Sequence, residues 1–254
     1  MVGLITVYFL AIGLVPGFKV PKPPLAGLKA APGKTSVSAR RDVRFVVNRY
    51  AINGWLYLPD TRGEKHPCVV MANGTGGTKH MLLEKYARRF QAAGMAVLSF
   101  DYRSFGDSEG NPRQLLWIPH QLQDYAAAID FSRNLEGVDP QRIALLTMPG
   151  EWEFFEQFAP ETFVNEVCAR IVIRGDKYRP VKYARNVRCP VLMQVCEKDE
   201  VIPVASARET EKLLGKHADA RYYPIGHFDI YKGDHFERAV EEQVGFLQKH
   251  LGTL

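Results

Sequence analysis

Three short stretches of this chain hold the residue types that nucleophilic and acid–base chemistry needs. A Gly-x-Ser-x-Gly pattern stands at Gly106-Asp107-Ser108-Glu109-Gly110, an acidic stretch runs Cys196-Glu197-Lys198-Asp199-Glu200, and a glycine precedes a histidine at Gly226-His227. A serine hydroxyl is a weak nucleophile until a histidine takes its proton and a carboxylate orients the imidazole. Asp199 and His227 lie 28 positions apart, which leaves room for one helix and one strand between them. That spacing returns two loops to the same edge of a parallel sheet, where open α/β sheets place their ligand sites.

The elements that must hold these loops follow from the apolar patterning. Arg44 to Val47 and Ile52 to Leu58 alternate around a turn and predict an antiparallel opening pair, closed by Pro59-Asp60. Continuous apolar runs follow at Cys68 to Ala72, Met95 to Phe100, Arg142 to Leu146 and Val191 to Cys196, as expected of parallel strands covered on both faces. Helical spacing fills the intervals at Met81 to Ala93 and at Gln121 to Asn134, where Leu122, Tyr125, Ala126 and Ile129 share a face. Downstream come a helix over Ala205 to Lys216, a strand over Arg221 to Pro224 and a closing helix over Phe236 to Leu251. The fold class is therefore α/β, a mostly parallel sheet with helices on both faces, in a domain spanning residues 39–254.

Residues 147–188 interrupt this alternation. They are aromatic-rich, with Trp152, Phe154, Phe155, Phe158 and Phe163, and continue into an apolar helical stripe of Val164, Val167, Cys168 and Ile171. One reading makes them a lid, with Trp152, Phe155 and Phe158 over an apolar substrate; the other is plain packing.

In their order along the chain, these motifs resemble the α/β-hydrolase superfamily, in particular its dienelactone-hydrolase-like and X-prolyl-peptidase-like esterases, over about Arg44 to Leu251. The resemblance rests on Asn73-Gly74-Thr75-Gly76-Gly77, on Asp101 to Gly110, on Cys196 to Pro203 and on Gly226-His227. It implies that the Thr75 backbone N–H serves an oxyanion hole, that Asp199 holds the His227 tautomer, and that His227 is base and then acid. The implied reaction is hydrolysis, or acyl transfer, of a small ester, thioester or amide through an acyl-enzyme, with no cofactor.

In that family the strand Arg142 to Leu146 runs into a Gly-x-Ser-x-Gly elbow, a strained turn into a helix that exposes the serine. Here the chain continues Thr147-Met148-Pro149-Gly150-Glu151, with no serine or cysteine. Pro149 also lacks an N–H and restricts the residue before it. The literal motif at Ser108 is the remaining nucleophile candidate, but it stands several residues past Phe100, and Asn111-Pro112 follows it instead of a helix. The expectation is an α/β-hydrolase fold depleted of its nucleophile helix and one strand, impaired or inactive as a serine hydrolase. The alternatives are a non-catalytic ligand-binding or interaction protein, or an incomplete gene product with coding material missing between Leu146 and Thr147.

Composition limits the other classes. A 254-residue chain that is 46% hydrophobic and 24% charged suits a globular domain of this size. Its net charge of +5 comes from 33 Lys and Arg interleaved with 28 Asp and Glu, which does not read as a nucleic-acid surface. Cys68, Cys168, Cys189 and Cys196 form no C-x-x-C pair, the seven histidines match no metal-ligand spacing, and no metal is expected. Residues 1–38 are an uncharged apolar run, 2–18, followed by a Pro/Gly-rich linker. The expected location is cytoplasmic, with weak membrane association through residues 2–18 as the alternative; oligomeric state is not read from the sequence.

Overall fold

The computed structural model describes residues 40–60, 64–74, 76–148, 168 and 179–252. The N-terminal run 2–18, Thr75 and the aromatic residues Trp152, Phe155 and Phe158 lie outside the described residues. The chain forms two compact units, one reaching to Gly175 and one from Asp176 to Thr253.

The first unit is built on a five-stranded sheet of order β1-β2-β4-β3-β5. Strands β1 (Arg40–Val47) and β2 (Tyr50–Tyr57) form an antiparallel hairpin. The two turn residues, Asn48 and Arg49, take φ of 46° and 74°, the pair of positive values that a right-twisted two-residue hairpin demands. Strands β3 (His66–Asn73), β4 (Ala96–Phe100) and β5 (Val138–Met148) run parallel, and β2 pairs antiparallel with β4.

Among the described residues, two helices cover this sheet. In α1 (Leu83–Ala92) the buried residues Leu83, Tyr86, Ala87 and Phe90 recur at i, i+3, i+4 and i+7, one apolar stripe. The second, α2 (Ile118–Arg133), carries Pro119 in its first turn, where a missing N–H costs no intrahelical bond. Its Ala128, Tyr125 and Phe131 pack with Cys68, Val70 and Ala72 of β3 and with Phe45, Ile52, Leu98 and Phe100 in the main core. The Tyr125 hydroxyl, at the sheet's end, donates to the Leu146 carbonyl (2.8 Å) and accepts from the Ala72 N–H (3.1 Å). It thus ties β3 to β5.

Every residue of β3 is buried, as its apolar run predicts, but β5 differs. It is longer than the expected Arg142 to Leu146 at both ends: Val138 to Gln141 belong to it in spite of their turn-like composition, and Thr147 and Met148 stay paired with Ala72 and Asn73 of β3. Its apolar residues are also not enclosed: Leu145 is 57% exposed, and Ile143, Ala144 and Leu146 are only half-buried. Among the described residues β5 pairs with β3 alone.

The second unit is a parallel β-α-β unit with a packed helix. Strand β6 (Val191–Cys196) pairs with β7 (Ala218–Tyr223), and α3 (Val204–Leu214) with a 3-10 turn at Gly215–His217 makes the crossover. Strand β7 therefore begins three residues before the expected Arg221. The last helix, α4 (Gly233–Leu251), buries Phe236, Ala239, Val240 and Leu247. Gln194 of β6 pins α4 by donating to the Ala239 carbonyl at 2.9 Å and accepting from Gln243 at 2.6 Å. The thiols of Cys68 and Cys196 are buried and free, in the core positions that their apolar surroundings suggest. Among the described residues no helix is long and apolar enough to cross a membrane.

Candidate active site

The Asp199–His227 pair sits where β6 and β7 end. Past the last paired residues the backbone ladder continues: the Glu197 N–H donates to the Tyr223 carbonyl at 2.7 Å and the Lys198 N–H to the Ile225 carbonyl at 3.0 Å. These bonds carry the register of the sheet into both loops. A tight turn follows Gly226, whose N–H is accepted by the Asp229 carboxylate at 2.9 Å. His227 is thereby aimed across at Asp199.

His227 Nδ1 lies 2.7 Å from Asp199 Oδ2, with both side chains almost wholly buried. The other carboxylate oxygen, Oδ1, accepts the N–H groups of Val201 and Ile202, each at 2.8 Å. Burial by itself raises the Asp199 carboxyl, but the hydrogen bonds from the Ile202 amide, the His227 ring and the Val201 amide outweigh it and hold the group below its ordinary value. An ionised carboxylate only accepts, so the proton between the two groups belongs to Nδ1. In the neutral ring Nε2 is then the acceptor, and it is buried with no hydrogen-bond partner among the described residues. Leaving a buried polar atom unpaired costs about 1–3 kcal/mol. A histidine that only packs avoids this cost by satisfying both nitrogens, whereas a base must keep one free.

Ser108 occupies a different setting. Its hydroxyl donates to the Asp101 carbonyl at 2.7 Å and accepts the Asn53 N–H at 2.9 Å, with the residue 2% exposed. Both capacities are used in fastening the 101–110 loop to β2. Cys196, three residues before Asp199, has its thiol pushed up to about 11 by burial, helped by the charges of Asp199 and Asp229. It stays protonated at neutral pH and unreactive. Thr75 lies outside the described residues, but the segments flanking it are tightly held. The Asn73 side chain donates to the carbonyls of Thr78 (2.5 Å) and Met81 (3.0 Å), and the Lys79 N–H donates to Asp101 Oδ1 at 2.6 Å.

The sequence does not single out Lys79, yet it is a buried side chain that pairs with two carboxylates of this loop. Its ammonium, 1% exposed, lies 2.7 Å from Asp101 Oδ2, also bonds Asp107, and stands 5.0 Å from the Trp55 ring centre. Its sequence signal is faint: a lysine near a glycine loop reads as solvated, and the carboxylates that bury it follow 22 and 28 positions later.

No protein-family model matches the chain. Among solved structures, the α/β-hydrolase GrgF from Penicillium sp. sh18 superposes with a TM-score of 0.72 at 17% identity, over 84% of this chain and 99% of that one. Est1E from Butyrivibrio proteoclasticus, solved with ferulic acid bound, gives a TM-score of 0.67 at 16% identity, over 83% of this chain and 100% of that one. In sequence, the quorum-quenching protein AidA of Acinetobacter baumannii (strain MDR-ZJ06) is 30% identical over 288 aligned residues, covering 82% of this chain and 94% of AidA. The chain belongs to the α/β-hydrolase superfamily. The alignment with AidA carries a further fact about this α/β-hydrolase. Because 82% of 254 residues is about 208, about 80 of the aligned positions hold an AidA residue and none from this chain.

Proposed function

We propose that this α/β-hydrolase keeps the acid–base half of a serine triad, Asp199 and His227, and lacks the nucleophile, so that hydrolysis of small esters, thioesters or amides by the chain as it stands is impaired. The observation that carries the reading is the asymmetry of His227: Nδ1 is fixed on an ionised carboxylate, and Nε2 is buried and unpaired. In a triad Nε2 is the atom that takes the serine proton. Ser108 is not that serine, because its hydroxyl is already committed to Asp101 and Asn53. The Thr75 amide as oxyanion donor rests on the resemblance of Asn73 to Gly77 to the family's loop.

The loss is best explained as an internal deletion. A strand and helix with their connections take roughly 25 to 40 residues, and about 80 positions of the AidA alignment have no counterpart here. The half-exposed apolar residues of β5 support the same account, because a strand of that composition belongs between covered neighbours. The aromatic residues Trp152, Phe155 and Phe158 then remain lid material over an apolar acyl group.

Two measurements test this. Purified protein should release no more nitrophenol from short-chain nitrophenyl esters in water than the His227→Ala variant does; a clear His227-dependent hydrolysis would refute it, and loss of that rate in Ser108→Ala would restore Ser108 as nucleophile. The genomic sequence across the Leu146–Thr147 junction should contain an in-frame segment encoding Gly-x-Ser-x-Gly. An uninterrupted junction would replace the deletion with a naturally serine-less fold.

A further inference from the structure

We propose that the 3-10 helix Pro180–Asn186 docks this chain on an anionic lipid surface through a row of four cations, Arg179, Lys182, Arg185 and Arg188. The proposal does not depend on the acid–base reading of Asp199 and His227 and uses none of the residues assigned there.

The row follows from the period of the helix. A 3-10 helix makes one turn in three residues, so side chains at i and i+3 lie over one another. One face is apolar and turned inward: Val181 and Val187 are half-buried and Ala184 is buried, where the helix packs on α3. Lys182 and Arg185 share the next face, with Arg179 as the N-cap residue and Arg188 two positions past the end, and all four are exposed. Residues 179–188 contain no Asp or Glu. Among the described residues none of the four cations has a carboxylate partner; Arg188 instead donates to the carbonyls of Arg185 at 2.7 Å and Val187 at 3.1 Å, which holds its charge against the end of the row. Other exposed cations are paired, as Arg133 is with Asp130 and Arg221 with Asp219. The even mixture of charges along the whole chain hides this local excess.

The remaining face indicates which anion fits. Tyr183 is 62% exposed and shares that face with Pro180 and Asn186, both exposed as well. A tyrosine offers an apolar ring with a polar tip, the profile of side chains that sit at the headgroup level of a bilayer. A helix open on two of its three faces is a ridge, suited to a broad charged plane, whereas a single nucleic-acid strand is held in a positively charged groove. The rise of about 2.0 Å per residue sets successive cations about 6 Å apart along the axis. That is within the screening length of about 8 Å at physiological ionic strength, so the four act together on such a plane. Each cation close to an anionic leaflet strengthens binding about fivefold.

The experiment sediments the full chain with vesicles of an equal mixture of phosphatidylcholine and phosphatidylserine, and with vesicles of phosphatidylcholine alone. The parent should bind the mixed vesicles and not the neutral ones. Lys182→Gln/Arg185→Gln should weaken that binding about 30-fold, and salt at about 1 M, where the screening length is about 3 Å, should abolish it. Arg133→Gln/Arg221→Gln removes the same net charge from other exposed sites and should leave binding close to the parent's. Arg179→Gln/Arg185→Gln repeats the test on the row, and unchanged circular dichroism melting shows that each variant is folded. Equal losses in the row variants and in Arg133→Gln/Arg221→Gln would trace binding to net charge and overturn the proposal. Binding to neutral vesicles that Lys182→Gln/Arg185→Gln retains would assign attachment to the apolar run 2–18 and also overturn it. So would a parent that ignores the mixed vesicles, whether or not it binds single-stranded oligothymidylate.

Discussion

Truncating Asp101 should damage this protein far more than truncating Asp107, although both carboxylates hold the same ammonium. Asp101 is 1% exposed and accepts three hydrogen bonds: from the Lys79 N–H at 2.6 Å, the Lys79 ammonium at 2.7 Å and the Asp107 N–H at 3.0 Å. Asp101→Ala strands a buried cation and two amide donors at once. Breaking a buried pair from one side costs about 3–5 kcal/mol, a large share of a total stability of about 5–15 kcal/mol. The Asp107 side chain is 56% exposed, and solvent takes over its role when it is removed, so Asp107→Ala should cost no more than about 1 kcal/mol. Lys79→Met falls between the two, because Asp101 then keeps both amide donors. Urea unfolding at pH 7, followed by circular dichroism, should show the Asp101→Ala midpoint shifted down by more than about 1 M while the Asp107→Ala midpoint stays close to the parent. Equal shifts in the two variants would refute the argument that burial, and not charge pairing as such, sets the cost.

Two further outcomes follow from the same loops. Gly106 takes φ of +49°, and a Cβ there would stand 2.3 Å from Asp101 Oδ2, an atom held in place by other donors. Gly106→Ala should therefore cost more than the roughly 1–2 kcal/mol of a left-handed residue alone, and a midpoint equal to the parent's would show that the loop can yield. For Asp199, the folded carboxyl lies below its unfolded value of about 3.9. Its contribution to stability is thus complete above about pH 4 and is lost as pH falls through the lowered folded value. Midpoints measured between pH 7 and pH 3 should fall more steeply in the parent than in Asp199→Ala, and parallel curves would count against the assignment.

How far the sequence reveals this molecule depends on how local each cause is. Strands β3 and β4 are legible because a parallel strand covered on both faces must be apolar throughout, and the closing helix α4 is legible from its spacing. Strand β5 carries the same apolar signature, but its surroundings in space decide whether the signature is honoured, and Leu145 lies exposed. The start of β5 is hidden because Asp139 and Pro140 favour turns, and they stand in the irregular stretch between the paired residues Val138 and Ile143. The pair Asp199 and His227 is readable from order and spacing, and the structure brings the two side chains into contact. Lys79 is not readable: its type predicts solvent, and its burial depends on carboxylates that only the folded loop brings to it.

The extension of the β6–β7 ladder into the two loops has a consequence for how such chains diverge. Asp199 stands three residues beyond Cys196 and His227 four beyond Tyr223, with Cys196 and Tyr223 paired in register. The distance between carboxylate and imidazole is thus measured from the strand ends and not along the crossover that joins β6 to β7, whose loops can lengthen or shorten at little cost, since doubling a loop adds only about 0.6 kcal/mol of closure entropy. One residue gained or lost between a strand end and its side chain is a different event, because it shifts the group out of the turn that the ladder bonds at Glu197 and Lys198 anchor. In distant relatives the offsets of three and four are therefore expected to persist, while the separation of 28 is free to drift.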